Sequence, residues 1–140
     1  EQFLYQVLEY PLGDIHDEAE RLEHVISPFF VERINTLMKS PAFDPHGHPI
    51  PDRDLNLNDS RKLALLSELQ LGQKGLVRLI TDRYTDFLVY LTTIGINTGT
   101  ELKIVQTNSY DGTQQVEIVG TGQLQVFSKA ISESIHVELV

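Results

Sequence analysis

Apolar residues recur at helical spacing through the first forty positions and mainly in alternation through the last forty. Phe3, Leu4, Val7 and Leu8 form one stripe within residues 2–9, which predicts a short helix broken by Pro11 and Gly13. Asp14 stands where a helix N-cap belongs. Asp17 and Glu18 follow in the first turn, where the helix dipole favours acids, so a second helix is expected from there to about Val25. Ser27-Pro28 is a third start signal, with serine as cap and proline in the first helical position. The helix it opens carries Phe30, Val31, Ile34, Leu37 and Met38 and stops before Pro41. Residues 41–62 are rich in Pro, Asp and Asn and read as loop.

Beyond that loop the period changes. Residues 75–80 read as extended, and Thr81 is expected to cap a helix bearing Tyr84, Phe87, Leu88 and Leu91, which Gly95 ends. Period-two pairs follow: Leu102 with Ile104, Val116 with Ile118, Leu124 with Val126, and Ile135 with Val137 and Leu139. Asp111-Gly112 and Gly120-Thr121-Gly122 mark turns, and residues 128–134 read as one short helical turn. The pattern predicts an α+β chain: an all-α domain over residues 1–51, a linker over 52–63, and a small β-barrel with one helix over 64–140.

Composition narrows the classes. Hydrophobic residues make up 41 % of the 140, enough for a packed core. No apolar run approaches the roughly 20 residues of a membrane helix. The chain has no cysteine, which removes disulfides, thiolate metal sites and cysteine nucleophiles together. With no signal-peptide pattern at its start, a cytoplasmic location is expected. Glu1 falls within a helical pattern, so a fragment lacking its N-terminal part is also expected. The net charge is −9, and residues 1–60 carry −8 of it. A surface this acidic repels phosphate backbones, so this segment alone is not expected to bind nucleic acid, while carboxylates attract divalent cations.

The second helix reads His16-Asp17-Glu18-Ala19-Glu20-Arg21-Leu22-Glu23-His24-Val25. At 3.6 residues per turn His16, Glu20, Glu23 and His24 share one face. Two imidazoles and two carboxylates form half a metal site, suited to manganese(II), iron(II) or zinc, with the remaining ligands coming from other segments or water. The same face also reads as a solvated polar surface on which Arg21 pairs with an acid. His46 and His48 flank Gly47 between prolines, and loop geometry accounts for that segment better than a metal role. Asp52, Asp54 and Asp59 lack a closing glutamate and do not make a calcium loop. His136 falls in a predicted strand and reads as structural.

The run from His16 to Val25, with Val31-Glu32-Arg33 and Asp44-Pro45-His46-Gly47-His48-Pro49-Ile50-Pro51, resembles the dimerisation and metal-binding domain of the diphtheria toxin repressor family, which comprises metal-dependent transcriptional regulators. The second part is similar to the FeoA-like, SH3-like barrel at the C-terminus of many members. That similarity rests on Leu66-Ser67-Glu68-Leu69, Gly72-Gln73-Lys74-Gly75, Gly99-Thr100-Glu101-Leu102, Asp111-Gly112 and Ile135-His136-Val137-Glu138. The resemblance implies that Glu20, Glu23 and His24 belong to the metal site that switches DNA binding. It implies that His16 belongs to an ancillary site and that Glu1 contributes to a second metal position. Glutamate at position 20, where iron-responsive members carry cysteine, points to manganese(II), with iron(II) as the alternative. In some members the barrel also donates ligands. Here the corresponding stretch, residues 84–87, offers Tyr84 and Phe87, with Asp82 and Asp86 nearby.

The resemblance further implies a homodimer, for which Phe29, Phe30, Val31, Ile34, Leu37 and Met38 are the candidate contact. Operator DNA would be read only through a winged helix-turn-helix missing from these residues, and no membrane is involved. Two other readings stand beside this one. One takes the chain as a protein-interaction adaptor built on the barrel, with no metal switch. The other takes it as a metal hydrolase in which Glu23 activates water, but no general-acid arrangement or substrate-pocket signature accompanies that glutamate, so no enzyme is expected.

Overall fold

Three short helices precede a sheet-based second part in the computed structural model, which describes residues 1–81 and 84–140. The helices are α1 (Gln2–Gln6), α2 (Ile15–Glu23) and α3 (Pro28–Leu37). After a long loop come β1 (Ala64–Leu65), a 3-10 turn (Leu66–Glu68), β2 (Lys74–Ile80), α4 (Thr85–Thr93), β3 (Glu101–Thr107), β4 (Gln114–Ile118), β5 (Gln123–Phe127), α5 (Lys129–Glu133) and β6 (Ile135–Leu139).

The α1–α2 corner buries Leu4, Leu12 and Ile15 in a small core of its own. Asp14 occupies the N-cap position of α2 but makes no capping hydrogen bond through its side chain. Its own backbone is helical there, so the side chain is not placed to receive the free amides. Ser27 does cap α3: its Oγ accepts from the Phe30 amide at 3.1 Å, and Pro28 opens the helix. No residue of α3 is buried.

The strands form one antiparallel sheet in the order β1-β6-β2-β3-β4-β5. Edge strands β1 and β5 do not pair with each other, so the expected barrel is an open sheet rather than a closed one. Leu102 and Ile104 of β3, Val116 and Ile118 of β4, and Ile135 and Val137 of β6 point into the main core, as their alternation predicts. The expected inward pair on β5 is reversed. Phe127 opposes Gln114, and Gln125 opposes Val116, so the odd-numbered residues face inward. Leu124 and Val126 are therefore 51 % and 62 % exposed. Hairpin register, set by the turn around Gly120 and Gly122, outweighs side-chain polarity there.

Helix α4 also starts differently from expectation. Tyr84, not Thr81, is its N-cap residue, while the Thr81 amide and hydroxyl both donate to the Ser134 carbonyl. Gly95, at φ +83°, ends α4 as expected. The helical corner seats directly on this helix. A Cβ at Gly13 would stand 2.9 Å from Val89 Cγ2, so a larger residue there would force the helices to give way.

Candidate metal centre

Residues 43–49 form a tight loop that closes on itself through a bridge between Phe43 and Pro49. Asp44 organises it. Its Oδ1 accepts from the His46 and His48 amides at 2.9 and 2.8 Å, and its carbonyl accepts from Gly47. Gly47, at φ +93°, completes the turn. The loop is docked on both parts of the molecule. Gln2 Nε2 donates to the Phe43 carbonyl at 2.6 Å. On the sheet side, the Ile80 amide donates to the His46 carbonyl at 2.9 Å, and Thr98 Oγ1 to the Pro45 carbonyl at 3.2 Å.

This docking brings three donors together. One ligand atom each from Glu1, Asp44 and His46 lie within 4.8 Å of one another. His16 adjoins them from α2, its Nδ1 lying 3.1 Å from Glu1 Oε1. His46 is 3 % exposed. Its ring bonds to the Leu12 backbone, yet its Nε2 is buried with no hydrogen-bond partner. A buried imidazole nitrogen left unpaired is costly in an apolar setting, and a cation answers that deficit. Burial pushes the His46 pKa down, against the raising influence of the Asp44 and Glu1 carboxylates and the Leu12 bond. The neutral ring that results is the form that ligates a metal. Neighbouring His48 lies 3.3 Å from Asp44 Oδ2 and meets the His46 ring edge-on at 6.5 Å. Imidazole nitrogen with carboxylate oxygens fits a divalent cation of the manganese, iron or zinc type.

The sequence-derived donors divide into two groups. Glu1, His16, Glu20 and Glu23 all border one cavity of about 490 Å³, whose apolar walls include Leu4, Leu22 and Ile34. His24 is not among its lining residues, and its Nε2 stands 3.9 Å from Glu23 Oε1. Glu20 and Glu23 on α2 and His24 just after it are exposed, and among the described residues they do not converge on one point as Glu1, Asp44 and His46 do. Arg21 pairs with Glu18 at 3.3 Å, as the solvated-face reading expects.

Asp44 and His46 are candidate donors that the sequence reading did not choose, having assigned the His46–His48 segment to loop geometry. The histidine-glycine-histidine run was the available signal, but their carboxylate partner Glu1 comes close only through the fold. On the barrel side, Asp82 lies outside the described residues. Asp86 is exposed in the first turn of α4 and belongs to no donor cluster among the described residues.

The expected dimer face is apolar and open. Phe29 is 71 % and Leu37 62 % exposed, Phe30 and Val31 are exposed beside them, and Ile34 and Met38 are half-buried. No described helix is long and apolar enough to cross a membrane.

Residues 1–52 match the family described as the iron dependent repressor, metal binding and dimerisation domain, and residues 64–139 match the FeoA domain. The iron-dependent repressor IdeR of Mycobacterium leprae is 32 % identical over 100 residues, covering 66 % of this chain and 44 % of that protein. The diphtheria toxin repressor of Corynebacterium efficiens is 26 % identical over 100 % of this chain and 63 % of its own length. A solved manganese-dependent transcriptional repressor in complex with manganese covers the whole chain with a TM-score of 0.88 and 31 % identity, and 66 % of that structure is matched. The chain thus spans less than two thirds of the length of these curated relatives.

Proposed function

Since the chain belongs to the diphtheria toxin repressor family of metal-dependent regulators, we propose that it is the metal-sensing and dimerising part of a transcriptional repressor that answers to manganese(II) or iron(II) and governs metal-homeostasis genes. The observation that carries this is the buried His46 imidazole, whose Nε2 has no hydrogen-bond partner and which offers a ring nitrogen to the cluster formed with the Glu1 and Asp44 carboxylates. Glu1, Asp44 and His46, with His16 beside them, would hold one cation. Glu20, Glu23 and His24 would contribute to a second, completed by donors outside residues 1–140. The oxygen-rich donor set at both places favours manganese.

A bound divalent cation supplies positive charge that offsets the mutual repulsion of these carboxylates. The chain's own residues do the rest. Glu1 sits at the start of α1, His16 on α2, and Asp44 and His46 on the docked loop, so a shared ligand set locks these three segments in one relation. If that relation also sets the orientation of a DNA-reading winged helix-turn-helix beyond these residues, cation and operator binding favour each other reciprocally, by about 1–3 kcal/mol. The exposed apolar side of α3 would join two copies, placing two reading helices on a two-fold operator.

Manganese titration followed by electron paramagnetic resonance of the free ion tests the reading. His46→Ala is expected to weaken binding by about tenfold or more, about 1.4 kcal/mol. An isotherm unchanged in both His46→Ala and a Glu20→Ala, Glu23→Ala double variant would return the chain to the adaptor reading.

A further inference from the structure

Residues 50–60 are all exposed, and Arg61 is the first side chain after them to turn inward, leaving it 15 % exposed. Its guanidinium is committed on every side. Nε and Nη2 form a two-pronged pair with Asp59 at 2.9 and 2.7 Å. Nη1 donates to the Arg78 carbonyl of β2 at 3.1 Å, and Nη2 also donates to the Gly47 carbonyl at 2.6 Å. The plane stacks on the Phe43 ring, with Cζ 3.9 Å from the ring centroid. Phe43 immediately precedes Asp44, and Gly47 immediately follows His46, so one side chain grips the donor-bearing loop on both flanks of its two ligands. The other end of the grip is the sheet, at the position where the β2–β6 register shifts between Val77 and Leu79. Gly47 completes the joint, because a Cβ there would collide with the Arg78 carbonyl.

We propose that Arg61 is a positioning residue for the cation site: it holds Asp44 and His46 in ligating position against β2 and thereby couples cation occupancy to the FeoA-like part of the molecule. This rests on the reading of Glu1, Asp44 and His46 as a cation site. The coupling needs no ligand from the sheet itself. The loop is tied to β2 by the Ile80 amide and Arg61 and to the segment before β3 by Thr98, so ordering one end orders the other. Reciprocity requires that a cation held at the loop also tighten its docking on β2. Only the planar five-donor fork of arginine reaches Asp59, Gly47 and Arg78 together; lysine, a point charge, cannot.

The test uses the full chain with Arg61→Met, which keeps the aliphatic stem, and Arg61→Lys, which keeps the charge. Two quantities are read: the manganese(II) dissociation constant from free-ion paramagnetic resonance, and amide hydrogen exchange in the metal-free protein. Arg61→Met is expected to weaken the His46-dependent manganese binding about tenfold and to speed exchange at the Ile80 amide about tenfold, with the Val116 amide of β4 unchanged. Arg61→Lys is expected to recover only part of either effect, and it carries the test alone if Arg61→Met does not fold. Parent-like manganese affinity in the variants, with His46-dependent binding present in the parent, overturns the role of Arg61 alone. Parent-like exchange at Ile80 overturns it as well. A parent that shows no His46-dependent manganese binding overturns the cation-site reading and the positioning role with it, even where Ile80 exchange still quickens.

Discussion

Gly47 and Asp59 lie twelve positions apart in the chain yet serve the same joint, and each makes a residue-level prediction. At Gly47 the backbone has φ +93°, and the space a side chain would occupy is taken by the Arg78 carbonyl. Gly47→Ala is expected to lower unfolding stability by about 2–4 kcal/mol, read from the urea midpoint. A loss under about 0.5 kcal/mol would mean that the loop does not rest on β2 in solution. Asp59 reports on the other side of the joint. Hydrogen bonds from the Arg61 side chain and amide hold its carboxyl at about 2, below the 3.8 of an unperturbed aspartate. Because the folded pKa is the lower one, this contribution to stability is complete above about pH 4 and fades as pH falls from there toward 2. The Asp59 carboxyl-carbon shift should therefore titrate near 2 in the parent and move back toward 3.8 in Arg61→Met. A parent midpoint near 3.8 would show the ion pair to be absent. Neither Asp59 nor Gly47 stands out in the sequence as part of a site. Gly47 meets Arg78, thirty-one positions on, and local pattern carries no trace of that contact; Asp59 pairs with nearby Arg61, but what makes the pair part of the joint is the reach of Arg61 to Gly47 and Arg78. The family resemblance assigned Glu1 and His16 to metal positions, and the structure places His16 Nδ1 3.1 Å from Glu1 Oε1.

Elements whose ends are written in local chemistry were read well from sequence. Ser27-Pro28 opens α3 and Gly95 closes α4, because a capping hydroxyl, a fixed proline φ and a left-handed glycine act within a few residues. Ser27→Ala should cost about 1 kcal/mol by thermal unfolding, and no loss at all would remove the cap from the account. Thr81 and β5 were misread for the opposite reason. Thr81 had a competing partner in the Ser134 carbonyl, fifty-three positions away, and the face of β5 was fixed by pairing with β4 rather than by its own alternation. The reversed face gives a contrast between neighbours. Val126→Thr should change stability by less than about 0.5 kcal/mol, whereas Phe127→Ala should cost about 3–5 kcal/mol. Equal losses at the two positions would put the expected register back in place. The α+β division itself was legible because the change from helical to alternating period is a property of long stretches, robust to errors at single positions.

The whole chain carries a net charge of −9, and most of it lies in the part that also exposes the apolar side of α3. Two such surfaces repel at long range unless apolar contact, or cations bound to the carboxylates, offset the charge. A homodimer joined through α3 therefore predicts that Phe29→Asp with Phe30→Asp yields a monomer by light scattering at micromolar concentration, where the parent sediments and scatters as two chains. A parent that is already monomeric under those conditions would leave the α3 face without this role. Cation binding is the property on which the rest of the account stands, since the docked loop, the Arg61 grip and the link to the sheet all converge on Glu1, Asp44 and His46. Anomalous diffraction from crystals of the chain grown with manganese(II) addresses it most directly. A manganese peak within ligand distance of His46 Nε2 and of the Glu1 and Asp44 carboxylates is the predicted result. Saturating manganese with no density at that position would contradict it.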